Sequence, residues 1–243
     1  MHLFLLFGVV LLAGCAGTKA GTEAEPGLNV GRAALESGAP QIALRISAAK
    51  LAHSPNDVAA LVLQGDAYTE EGLPESASGA FSRALALASD STPAKLGLGH
   101  LALATDPSHA ETMFLSIVAE DPRNAVALND LGIARDLQGR HLQAQTAYEQ
   151  ALGVAPDARA PMVNLALSMA LSGQAGQARN LLAPLASSPD ATSRVRQDYA
   201  LVTELSGDRG AAAALLEPEL SAQEAQAALS GYDALVGKDA APR

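Results

Sequence analysis

Few places in this chain combine residue types and spacing that could do chemistry. Cys15, its one cysteine, stands directly behind an apolar run in LLAGCAGT, residues 11–18. Ser47-Ala-Ala-Lys50 has the S-x-x-K spacing in which a lysine one turn away activates a serine, yet neither S-D-N nor K-T-G accompanies it. Gly97-Leu-Gly99-His-Leu-Ala102 spells the G-x-G-x-x-A dinucleotide fingerprint, but that motif needs a strand in front of it and SDSTPAK, residues 89–95, is not one. His53, His100, His109 and His141 lack the i, i+4 spacing and the nearby Cys or Glu of a metal site. The carboxylates scatter along what read as solvated faces. The expectation is therefore no catalytic residue, no metal and no cofactor, with Cys15 the chemically distinctive side chain.

What Cys15 does depends on the residues before it. Leu3 to Ala13 reads LFLLFGVVLLA, eleven apolar or small residues and too few for the ~20 of a membrane-spanning helix. It reads instead as the core of a signal peptide over residues 1–14, ending at small residues. Leu12-Ala13-Gly14-Cys15 resembles the lipobox of bacterial lipoproteins, although Met1-His2 in front carries no Lys or Arg. The resemblance implies lipidation of Cys15: a diacylglyceryl group on sulfur, cleavage before the residue, and acylation of the new amino group. A thioether has no thiol left to form a disulfide and no thiolate to offer a metal. The other reading is an inert thiol in an ordinary export signal.

With no further cysteine, an exported chain has no disulfide and is held by packing alone. At 49% hydrophobic and 17% charged residues it is apolar enough to fold, and its dominant alanine favours close-packed helices. The net charge of -10 and the lack of a basic stripe disfavour nucleic acid and anionic lipid as partners. Membrane attachment falls to the lipid on Cys15. TKAGTEAEP, residues 18–26, is small and polar, and residues 15–26 read as a flexible tether.

The elements that follow repeat. Gly31, Gly65 and Gly99 stand 34 apart, as do Gly132, Ala166 and Ala200, with 33 residues joining the two sets. Gly38 and Gly72 keep the step, as do Gly139, Gly173 and Gly207; Ala43, Ala77, Ala110, Ala144, Ala178 and Ala212 keep it with the same slip. The slip falls in TDPSH, residues 105–109, a turn shortened by one residue. In the copy from Ala125 to Pro156, Leu128, Leu131, Gly132, Gly139, Ala144, Tyr148, Ala151 and Pro156 match the helix-packing positions of the tetratricopeptide repeat, a hairpin of two antiparallel helices. The fold expected is all-α: a right-handed solenoid of about six such units over residues 27–220. Later units open near 58, 92, 125, 159 and 193. Ser221-Ala-Gln-Glu224 is a capping box opening a terminal helix over 221–235, which covers the end of the stack, and residues 236–243 fray.

In such stacks the first helix of each unit lines the binding face. Register places Val62, Asp66 and Thr69 there, then Leu96, His100 and Leu103, then Asn129, Ile133 and Asp136. Val163, Leu167 and Ala170 follow, then Gln197, Leu201 and Glu204. The lining is apolar with a few polar points and has no Lys, so it suits an amphipathic helix or extended protein segment rather than an acidic tail or a small-molecule substrate. Some of these side chains can equally pack between neighbouring hairpins.

The stretch RVRQDYALVTELSGDRGAAAALLEPELSAQEAQAAL, above all Arg196 to Leu201 and Leu220 to Ala225, resembles the end of TadD-type lipoproteins of the tight-adherence (Flp) pilus system. That resemblance implies a non-catalytic accessory: a lipoprotein of a Gram-negative outer membrane, facing the periplasm, that helps the pilus secretin reach or assemble in that membrane. Ala16, where Asp would signal inner-membrane retention, agrees with the address. The alternative is a general envelope scaffold that recruits peptidoglycan enzymes or outer-membrane assembly factors, and an enzyme is the remaining class.

Overall fold

The computed structural model describes residues 26–217, 220–221 and 223–230. The leader, Cys15, the tether and residues 231–243 lie outside the described residues. Those that are described form helices and no strand, and none of the helices is long and apolar enough to cross a membrane. Two compact bodies divide at Gln138 and Gly139.

The first body holds α1 (Pro26–Glu36), α2 (Pro40–His53), α3 (Val58–Glu70), α4 (Pro74–Leu87), α5 (Thr92–Leu103), α6 (Pro107–Glu120) and α7 (Ala125–Asp136). Each helix packs on the next, and α1, α3, α5 and α7 also touch in sequence. Small residues make this possible. A Cβ on Gly99 would stand 2.5 Å from Phe114 of α6, and one on Gly65 equally close to Phe81 of α4. The rings of both phenylalanines are fully buried, so Gly65 and Gly99 are the seats of the second helix's aromatic ring in their hairpins.

Turn chemistry defines the hairpins. Gly38, Gly72, Gly139, Gly173 and Gly207 all have positive φ, between 69° and 90°. At Gly72 the left-handed residue lets the N–H of Leu73 reach the carbonyl of Tyr68 at 2.9 Å, closing α3 before Pro74 opens α4 without needing a donor. The shortened turn, Ala104–Asp106, has no such glycine; the Asp106 N–H bonds the carbonyl of Ala102 at 2.7 Å, and the Asp106 carboxylate caps α6 through the N–H of His109. Asp57 and Asn124 cap α3 and α7 in the same way.

The second body holds α8 (His141–Val154), α9 (Arg159–Leu171), α10 (Ala175–Ala186), α11 (Ser193–Leu205), α12 (Arg209–Leu216) and a helical stretch over 223–230. Val163, Ala166, Leu182, Val195 and Val202 centre one apolar cluster; Ala200, Ala212, Leu216, Ala225 and Leu229 form another. The capping box is present: Ser221 N–H donates to Glu224 Oε2 at 2.9 Å, and Glu224 N–H returns a bond to Ser221 Oγ at 3.4 Å. Ala225 and Leu229, one turn apart, then bury against the last hairpin.

Candidate protein-binding face

The first helices of the hairpins carry two rows of side chains at the repeat step. In the first body, one row is Val62 and Leu96, with Asn129 in register. One turn further along lies Arg32, Asp66, His100 and Ile133. Val62, Asp66, Leu96, His100 and Ile133 are half-buried; Asn129 is buried, 8% exposed. The row is polar at its centre. His100 donates from Nε2 to Asp130 Oδ2 at 2.7 Å, and Asn129 Nδ2 donates to the other oxygen of Asp130 at 3.2 Å. The Phe114 ring packs tilted against the imidazole, ring centroids 5.9 Å apart. Arg32 Nη1 donates to Asn29 Oδ1 at 3.1 Å. Asp66 faces His100, Arg32 and Glu70, and accepts no hydrogen bond from any described residue. Burial pushes its carboxyl up to about 6, with the charges of His100 and Arg32 opposing that rise.

In the second body the expected positions divide. Val163 is 7% exposed and belongs to the α9 to α11 cluster, so it packs between helices instead of standing open. Leu167 and Leu201 are half-buried, each lying against one of the two clusters. Gln197 is half-buried. Glu204 is nearly enclosed, one oxygen accepting from Arg209 at 2.5 Å and the other without a partner among the described residues.

Two buried carboxylates were missed by the sequence expectations. Asp130 and Asp198 occupy one column with Asn164, at 34-residue steps, and that spacing is legible in the sequence. Asp198 is raised by burial and held by Arg194 at 3.1 Å. Glu111 was missed too; it accepts from Arg135 at 3.0 Å and from Gln138 at 3.2 Å.

The remaining motifs have packing roles. Ser47 is fully buried and its hydroxyl donates to the carbonyl of Leu44 at 3.0 Å. Gly97 and Gly99 both lie within α5 against phenylalanine rings. Among the described residues no group of three His, Cys, Asp or Glu is placed to hold a metal ion. An open depression of about 300 Å³ around Leu142 and Ser172 contains none of the expected face positions.

Paired helices repeating at a 34-residue step, most of them turning through left-handed glycines, define an all-α tetratricopeptide-repeat fold. Solved structures with this fold include PilW, a widely conserved type IV pilus biogenesis factor (TM-score 0.70, 20% identity, 84% of this chain and 98% of that one). PilF of Pseudomonas aeruginosa aligns with TM-score 0.67 and 18% identity over 83% of this chain and 95% of its own. A thermophilic tetratricopeptide-repeat protein of Thermus thermophilus aligns with TM-score 0.65 and 19% identity, covering 73% of this chain and 97% of that one. No protein-family model and no curated protein matches the chain.

Proposed function

We propose that the chain is a non-catalytic scaffold lipoprotein, anchored in the outer membrane through Cys15, that assists assembly of a tight-adherence pilus by binding its secretin. The observation that carries this reading is the row of half-buried side chains on the first helices, Val62 and Asp66 beside Leu96 and His100. Side chains in register on adjacent helices read a segment of another protein one element at a time. The stretch from Arg196 to Ala225, similar to TadD-type lipoproteins, supports the pilus assignment. So does the fold shared with PilW, a type IV pilus biogenesis factor.

The test compares wild type, a deletion strain and Cys15→Ser, reading the membrane fraction of the protein and the abundance of secretin multimers. Diacyl and acyl chains together supply stable anchoring where one chain does not. The Cys15→Ser protein is expected to leave the membrane under a salt wash, and multimers to fall to the level of the deletion. A Cys15→Ser protein that sediments like wild type overturns the anchor. Unchanged multimers in the deletion strain overturn the pilus role and leave a general envelope scaffold.

A further inference from the structure

The charged row on the first body contains an imbalance. Arg32 and His100 flank Asp66, yet the hydrogen bonds they make go elsewhere: Arg32 Nη1 to Asn29 at 3.1 Å, His100 Nε2 to Asp130 at 2.7 Å. Of the three, Asp66 is the one whose side chain makes no hydrogen bond with a described residue, although it is half-buried one turn from Val62 and beside the helix that carries Leu96. A partly desolvated carboxylate without a donor is poorly satisfied by the fold, and a donor brought by a partner gains more there than at an exposed acid. The chain as a whole is acidic, with a net charge of -10, so its field draws basic segments.

We propose that this face, read above as the binding surface and dependent on that reading, takes a lysine or arginine side chain of a partner protein's segment, with Asp66 as its counter-ion. The methylene stem of that side chain and the apolar residues flanking it lie against Val62 and Leu96. A lysine or arginine supplies the charged donor that Asp66 lacks, and a planar guanidinium can meet both carboxylate oxygens at once. A segment carrying Glu at that point places like charges together and is rejected.

The experiment uses the full chain purified in mild detergent and a random library of twelve-residue peptides displayed on phage, followed by the affinity of the selected peptides at pH 7.5. Three proteins are compared: wild type, Asp66→Asn and Leu96→Ala, each checked for helical circular dichroism. The selected peptides are expected to carry Lys or Arg between apolar residues and to bind Asp66→Asn about tenfold more weakly. Peptides without a basic preference, or ones that bind Asp66→Asn as well as wild type yet weaken on Leu96→Ala, overturn the counter-ion while leaving the face as a binding surface. Peptides indifferent to both substitutions, or no selected peptide at all, overturn the face and the counter-ion together.

Discussion

Asp66 and Gly99 show what single positions contribute and cost. The unfolded Asp66 carboxyl ionises near 3.8 and the folded one near 6, so the folded state holds its proton more tightly. The stability this provides is fully present below 3.8 and is lost as pH rises through about 6. At neutral pH the ionised group is a net burden, even with Arg32 and His100 facing it and Glu70 adding to the strain. Asp66→Asn is therefore expected to stabilise the protein at pH 7.5 by about 1 to 3 kcal/mol, a range that allows for partial exposure, and the gain is expected to vanish near pH 4. Melting curves at the two pH values check it; a variant that melts lower at both contradicts the burial argument. Gly99 has the opposite character. A methyl group there meets the buried Phe114 ring at 2.5 Å, so Gly99→Ala is expected to cost roughly 1 to 3 kcal/mol, read as a fall in melting temperature.

At the scale of elements, the hairpins were legible because their turns leave few residue choices. A backbone with φ of 69° at Gly72 disfavours any side chain, so the glycine column records the left-handed turn directly. Gly72→Ala is expected to destabilise by about 1 kcal/mol in denaturant unfolding, whereas Thr105→Ala, at the turn without a left-handed glycine, leaves the midpoint nearly unchanged. The capping box at Ser221 was legible for a similar reason, since hydroxyl and carboxylate three residues apart satisfy each other's amides. Leu229→Ala removes the side chain that closes the last cluster and is expected to cost about 2 to 5 kcal/mol, measured by thermal unfolding. Exposure along the first helices was not legible. Val163 and Leu167 differ by one turn in the same apolar pattern, yet one is core and the other half-buried, because the angle between hairpins decides and no residue type encodes that angle alone. For the same reason the sequence showed Asp66 and His100 as two polar points, without showing that His100 is committed to Asp130 while Asp66 makes no hydrogen bond with a described residue.

At the scale of the whole molecule, the proposed function joins a lipid at Cys15 and a short tether to hairpins whose first helices are proposed to meet a partner. Under that proposal, a membrane anchor would confine the binding face to the compartment of its partner and raise the effective concentration of one for the other. The central claim is that the partner docks on the first-helix face and that the partner is the secretin. Photo-crosslinking in living cells tests it most directly, with a photoreactive phenylalanine placed either at Leu96 on that face or at Leu142, a 70% exposed position at the start of α8. The account predicts a discrete adduct from position 96, containing the secretin by mass spectrometry, and none from position 142. Equal adducts from both positions, or none from position 96 while the unmodified protein still co-purifies with the secretin, would contradict it.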